Sequence, residues 1–245
     1  MSEMRLFQFQ GSHFNEKARW ALDLKRVPHD VTSLLPGPHM PVMKRLTGGS
    51  ETPALVDGET VVAGSTSILE HLERRFPEPA LFPTDPSERE RALEIVHHWD
   101  AEVGPAVRLV KFFDVLEADY VLGTFGKGKS PFVRSAYRLA FPVISRVMMN
   151  KMQISAENAV IARDITRGAF DFVAKESETT GYLVGDRFTV ADLTCAALLM
   201  PCVPVSEWGG PQDAETEKNR VFLEAWADHP GAEWVREIYR RHRRD

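Results

Sequence analysis

Apolar and polar positions along the first eighty residues change period several times, and each change marks an element. Met4 to Phe9 alternates and reads as a strand. Trp20-Ala21-Leu22-Asp23-Leu24 continues with helical spacing. Between them, Ser12-His13-Phe14-Asn15-Glu16-Lys17-Ala18-Arg19 places Ser12 where a strand turns into a helix. Val27 to Thr32 turns and begins a second strand. Leu34-Leu35-Pro36-Gly37-Pro38-His39 is rich in breakers and reads as a loop. A short helix is predicted over Met43 to Leu46, ended by Gly48-Gly49-Ser50. Thr52 to Val62 reads as a hairpin, with two apolar runs flanking the turn signal Asp57-Gly58. Pro53 opens its first strand, where a missing N–H is tolerated. Ser65 to Phe76 is helical, with Ile68, Leu69 and Leu72 on one face, and Pro77 and Pro79 stop it. The order implies an α/β unit with a parallel pair joined by a crossover and an antiparallel hairpin at its end.

Pro77-Glu78-Pro79-Ala80-Leu81-Phe82-Pro83 reads as a linker, and everything after it has helical spacing. The expected division is an α/β domain over residues 1–79 and an all-helical domain over 86–245. Asp85-Pro86-Ser87-Glu88 is a helix start, with Asp85 as cap and Pro86 at the first position. That helix runs through Trp99 and past Gly104-Pro105, with room for a kink, to Phe112. Gly123, Gly126 and Gly128 interrupt the pattern. Phe132 to Met149 is then both apolar and basic, with Arg134, Arg138 and Arg146. Two readings apply to it: a helix packed on its own domain, which is preferred, or an amphipathic membrane-surface helix. Ala156 to Lys175 is a further helix. Thr189-Val190-Ala191-Asp192 is a capping box, leading into Leu193 to Met200, apolar enough to be a central buried helix. Val221 to Ala227 and Ala232 to Arg241 complete the set. The basic end Arg240-Arg241-His242-Arg243-Arg244 suits the negative end of a helix dipole.

Composition removes several functions. A net charge of −5 gives no general affinity for nucleic acid. No window of about 18 apolar residues exists, so no membrane span is expected. Met1-Ser2-Glu3-Met4-Arg5 lacks the layout of a secretory signal. Cys195 and Cys202 lie seven apart in one apolar stretch, which suits buried thiols rather than a disulfide framework or a zinc site. His97-His98 has no ligand-spaced partner, so a metal site is not expected. These features describe a cytoplasmic protein.

Candidate chemistry centres on Ser12. At a helix start the first N–H groups are unpaired and the dipole favours negative charge. A hydroxyl there can help to hold a phosphate, a carboxylate or a thiolate, or it can simply cap the helix. Four segments narrow the choice by resemblance. Ser12-His13-Phe14-Asn15, before Glu16-Lys17-Ala18-Arg19-Trp20-Ala21-Leu22, resembles the active-site turn of serine- and cysteine-type cytosolic glutathione transferases. Thr52-Pro53-Ala54-Leu55 resembles that superfamily's cis-proline turn. Gly64-Ser65-Thr66-Ser67-Ile68-Leu69 resembles its γ-glutamyl-binding segment, and Thr189-Val190-Ala191-Asp192 its capping box.

The resemblance implies a thioredoxin-like domain followed by an all-α domain, in a homodimer. It implies glutathione as co-substrate and a small hydrophobic electrophile as acceptor. Ser12 and Asn15 would be catalytic, with Ser12 stabilising the thiolate. His39, Thr52, Pro53, Gly64 and Ser65 would bind glutathione, His39 and Lys44 from a loop toward its glycine carboxylate. A free thiol has a pKa of about 8.5, so a shift of two units requires roughly 2.7 kcal/mol of preferential stabilisation. One hydrogen bond to the anion and a helix N-terminus supply most of that.

Two positions depart from the pattern. Asn15 stands where many relatives have cysteine, which argues against disulfide chemistry. Gly64 stands where an acid usually holds the ligand ammonium. A non-catalytic member that binds hydrophobic ligands or protein partners is the alternative. Arg19 is expected to pair with an acid of the helical domain. Phe112, Phe113, Tyr120 and Phe125 either line an electrophile pocket or pack the core.

Overall fold

A computed structural model describes residues 4–208 and 216–243. Residues Met1, Ser2 and Glu3 of the leader reading and Arg244 of the basic end lie outside the described residues.

The alternating segment forms β1 (Met4–Gln8), with Met4, Leu6 and Gln8 buried. It is followed by α1 (His13–Leu24), β2 (His29–Ser33), α2 (His39–Thr47), β3 (Ala54–Asp57), β4 (Thr60–Ala63) and α3 (Ser65–Arg75). The four strands are ordered β2-β1-β3-β4. β1 runs parallel to β2, with Leu6 opposite Val31, and antiparallel to β3, with Leu6 opposite Leu55. Helices α1 and α3 pack on each other, and α2 contacts β4.

Two details of this unit differ from the sequence reading. Asp57 pairs with Thr60, so the two-residue hairpin loop is Gly58-Glu59. Gly58 takes the first loop position with φ 60°, where a β-carbon is unfavourable. Second, His39 is helical, because α2 begins at His39, ahead of the start expected at Met43. Pro38 precedes it with φ −59°, already suited to a first turn, so the prolines that read as breakers start a helix.

Beyond the linker come α4 (Pro86–His98) and α5 (Gly104–Val115), joined by a π-helical turn over Trp99–Val103. Asp85 caps α4 by accepting from the N–H groups of Ser87 and Glu88. Pro105 has no N–H to donate back into the ladder, and the wide turn lies where that bond is missing. Then follow α6 (Ala118–Phe125), α7 (Pro131–Lys151), α8 (Ala156–Glu176), α9 (Val190–Leu199), a 3-10 turn over Met200–Cys202, α10 (Glu217–Glu224) and α11 (Pro230–His242).

Every residue of α9 is buried, and the helix packs against α1, α4 and α11. Its capping box is formed: Asp192 accepts from Thr189 N and Leu183 N, each at 2.8 Å. Burial lifts the Asp192 carboxyl to about 6, against the pull of those bonds. Cys195 and Cys202 are buried and form no disulfide with each other, and burial pushes the Cys195 thiol up. Phe112, Tyr120 and Phe125 are buried in the core, whereas Phe113 is exposed.

A buried ionic network joins the α/β part to the helical part. Glu16, fully buried on α1, accepts from Arg243 Nε at 2.8 Å, Trp208 Nε1 at 3.1 Å and Arg19 Nε at 2.8 Å. Arg19 therefore pairs with an acid of its own helix, not of the helical domain as its sequence position suggested. Its guanidinium also reaches Gln8. The linker is held by Lys25, whose ammonium donates to Phe76 O and Pro79 O and lies 2.6 Å from Glu73.

Replacing Glu16 leaves the buried guanidinium of Arg19 without its carboxylate and that of Arg243 with Asp23 alone. Glu16→Ala is expected to lower unfolding stability by about 3–5 kcal/mol, read by urea denaturation. A loss within about 1 kcal/mol, typical of exposed pairs, would show that the network is not what couples the two parts.

Candidate functional site

The turn from β1 to α1 is braced from several sides. Ser12 is the N-cap residue by position, with φ −88° and ψ 129°, yet its hydroxyl makes no capping bond. Its backbone holds the turn instead: Ser12 N donates to Phe9 O at 3.3 Å, and Ser12 O accepts from Glu16 N at 2.9 Å. The side chain is half-buried.

Asn15 is fully buried. Its Oδ1 accepts from Phe9 N at 3.3 Å, and its Nδ2 donates to Thr52 Oγ1 at 3.2 Å. The amide thus ties the Ser12 turn to the segment Thr52-Pro53, whose peptide bond is cis. Pro53 O in turn accepts from Gly64 N at 2.9 Å. Ser12, Asn15, Thr52, Pro53 and Gly64 are therefore linked through one set of short contacts.

Gly64, with φ 91°, is the N-cap of α3 and has no side chain to offer its first N–H groups. Ser65 follows as the first helical residue, buried, rather than as the cap itself. A left-handed backbone explains a glycine at 64. Thr66 is engaged elsewhere. Its hydroxyl donates to Asp100 Oδ2 at 2.5 Å, and it accepts from Lys17 Nζ at 3.0 Å. Lys17 also reaches Asp100 Oδ1 at 2.5 Å. Burial pulls the Lys17 ammonium below its ordinary value, with Asp100 opposing. The π-helical turn supplies Asp100, a partner that spacing alone did not indicate.

His39 stands at the start of α2. Its Nε2 lies 3.0 Å from Ser50 O, a carbonyl that can only accept. The ring therefore carries its proton on Nε2, and Nδ1, buried and without a partner, is an acceptor. Burial, foremost, lowers its pKa. Both ring nitrogens are thus turned into the protein, Nε2 to the Ser50 carbonyl and Nδ1 to the interior. Lys44 is exposed on the far turn of α2.

Sequence reasoning missed the closure of this site by α6 and α7. Phe125 meets Phe9 edge-on at 5.9 Å, and Phe9 meets His39 at 4.7 Å. A β-carbon added to Gly11 would lie 2.0 Å from Thr124 Cγ2, so α6 touches the backbone just before Ser12. Lys129 donates to Ser33 O at 2.7 Å, and Lys151 to Ser50 Oγ at 2.6 Å. On the other side, His13 lies with Nε2 3.0 Å from Gly104 O. Arg108 sits 5.9 Å over the Phe14 ring. Burial, helped by Arg108, lowers His13 to about 3. The run free of acids around Arg134 and Arg138 was a visible signal, but nothing in it indicated which surface the segment would cover.

Comparison with known proteins places this architecture. Residues 6–80 match a family model described as "Glutathione S-transferase, N-terminal domain", and residues 136–207 match "Glutathione S-transferase, C-terminal domain". Maleylpyruvate isomerase of Ralstonia sp is 33% identical over 126 residues, 50% of this chain and 57% of that protein. Glutathione S-transferase Z2 of Arabidopsis thaliana is 31% identical over 87 residues, 34% and 39% of the two chains. The matches thus span about half the length of these relatives or less. Among solved structures, the theta class glutathione S-transferase of Xanthomonas axonopodis pv. citri, with glutathione bound, superposes with a TM-score of 0.60. It covers 100% of this chain and 99% of that one, at 16% identity, a likeness of fold.

Two outcomes test the site geometry. His13 is held neutral well below its ordinary pKa of 6.5, so its contribution is complete above about 6.5 and is lost toward pH 3. Stability should fall by about 1.4 kcal/mol per pH unit in that window from this group. His13→Gln should flatten the difference in unfolding free energy between pH 7 and pH 5; identical slopes would refute the assignment. Separately, Gly11→Ala should destabilise by about 1–3 kcal/mol through overpacking, and Thr124→Ser should restore most of it. Additive effects in that double-mutant cycle would mean that α6 does not rest on the turn.

Proposed function

The chain belongs to the glutathione S-transferase superfamily, and from that membership we propose that it is a transferase joining the thiol of glutathione to a small apolar electrophile. The observation that carries this reading is the Ser12 hydroxyl, placed at the start of α1 and making no capping bond. A hydroxyl in that state is free to donate to a thiolate sulfur beside the positive end of the helix. The thiol proton leaves to water. The sulfur lone pair then forms the bond to carbon, and the leaving group departs with its electron pair. Serine acts here as donor, not as base, and the gain comes from a lowered thiol pKa and from positioning.

In this reading Asn15 is a positioning residue, because both ends of its amide hold Phe9 and Thr52. The backbone of Thr52, before its cis-proline, pairs with the peptide-like ligand. The first N–H groups of α3 at Ser65, with no side-chain cap from Gly64, hold the γ-glutamyl carboxylate. Gly64 brings no carboxylate to the ammonium, so that group is held from elsewhere, by the second subunit of a homodimer. The electrophile docks from the helical domain, residues 86–245, onto the α/β domain, residues 1–79, near Phe14, Arg108 and Phe125. The reaction is cytoplasmic.

A second reading has an observation of its own. Thr124 and Phe125 rest on Gly11 and Phe9, close to where a thiol would sit. A non-catalytic protein of this fold, binding hydrophobic ligands or proteins, would keep that contact permanently.

Calorimetric titration with glutathione and turnover of a generic electrophilic aromatic separate the two. A transferase should bind glutathione below millimolar concentration. Ser12→Ala should lower kcat/KM by about 10- to 100-fold, the equivalent of one to two units of thiol pKa, with an unchanged melting temperature. Absence of heat at millimolar glutathione would leave the non-catalytic reading standing.

A further inference from the structure

Residues 120–156 contain six lysines and arginines and no aspartate or glutamate, in a chain whose net charge is −5. Most of this segment is α7, and α7 has two apolar faces. Tyr137, Phe141 and Met148 are buried on the inner side. On the other side Phe132 is 82% exposed, Leu139 85%, Val143 70% and Val147 51%. Positions 132, 136, 139, 143 and 147 recur at helical spacing, so these side chains and Ala136 form one stripe. It extends roughly 22 Å at 1.5 Å per residue. Arg146 flanks it directly, and Arg138 lies farther round, beside Asp119. No helix among the described residues is long and apolar enough to cross a membrane.

We propose that α7 is a membrane-surface helix that lays Phe132, Leu139 and Val143 into the interface of an anionic bilayer. An apolar stripe flanked by Arg146, on a segment with six cations and no acid of its own, matches such a surface in both hydrophobicity and charge. The stripe lies on a single convex helix. A fluid interface accepts that shape without a matching groove, which a folded partner would need. A second copy docked stripe to stripe would oppose two acid-free cationic segments, which is unfavourable. The surface therefore fits anionic lipid better than itself. Attachment by one helix of this size is reversible.

Co-sedimentation of the full chain with lipid vesicles tests this. Vesicles of phosphatidylcholine alone are compared with vesicles containing phosphatidylserine, at low and high salt. Partitioning onto the anionic vesicles should be about tenfold higher or more, and salt should reduce it. Both Leu139→Asp with Val143→Asp, at exposed positions, and Arg146→Glu should lower it about tenfold, with the melting temperature unchanged. Failure to sediment with anionic vesicles, or equal binding to both compositions, would overturn the proposal. So would a dimer in light scattering that Leu139→Asp dissociates, since the stripe would then be an interface between copies.

Discussion

A single carboxylate, that of Glu16, sets much of what the rest of the structure can do. It is fully buried and faces the guanidinium groups of Arg19 and Arg243 and the indole N–H of Trp208. Taking such charges out of water is costly unless each is met by good geometry. That demand fixes where the chain's distant C-terminal segment must lie relative to its first helix. The same helix turn carries His13 against Gly104 and Lys17 against Asp100. Three consecutive contacts therefore hold the first turn of α1 on the helical part. Ser12, at the start of that helix, is presented from an anchored base rather than from a loose loop. In the proposed function, the precision that a thiolate donor needs would come from these contacts within the chain.

Much of the fold was legible because local signals agreed with one another. Alternation in β1, the glycine turn of the hairpin, the Asp85 cap and the Thr189 capping box each correspond to an observed element. Errors arose where one residue type serves two purposes. Pro36 and Pro38 read as breakers, yet a proline φ also suits the first turn of a helix, so His39 is helical. Pro105 suggested a kink, and the chain answered with a π-helical turn. That turn brings Asp100 to Lys17 and Thr66, at separations no local pattern encodes. Arg19 was expected to look outward for an acid and found one three residues earlier on its own helix.

The candidate site was legible in position and less so in role. Asn15 read as a catalytic residue by resemblance, and its amide is engaged at both ends. His39 read as a carboxylate anchor, and its Nε2 is engaged by the Ser50 carbonyl. Gly64 read as a missing acid. The left-handed backbone there supplies a reason in conformation, since almost any other residue would be strained at φ 91°. The scaffold for a peptide-like ligand and its charged recognition groups are thus separable. This chain keeps the cis-proline turn, the open start of α3 and the serine, while the carboxylate for the ammonium is absent from position 64.

The segment from Val121 to Met152 was the hardest to read, and the reason is physical. A helix buried on one side shows a single apolar stripe, whereas α7 carries two, so its periodicity blurs into a continuous apolar run. Its inner stripe settles with α6, whose Thr124 and Phe125 lie over the turn before Ser12. Lys129 and Lys151 fasten the same segment to Ser33 and Ser50 of the α/β part. Its outer stripe has no partner among the described residues. One segment therefore connects the candidate thiol site to whatever covers its outer face. Any shift of α6 and α7 would have to break those two lysine contacts, the packing of Thr124 on Gly11 and the burial of Tyr120, Phe125, Tyr137 and Phe141.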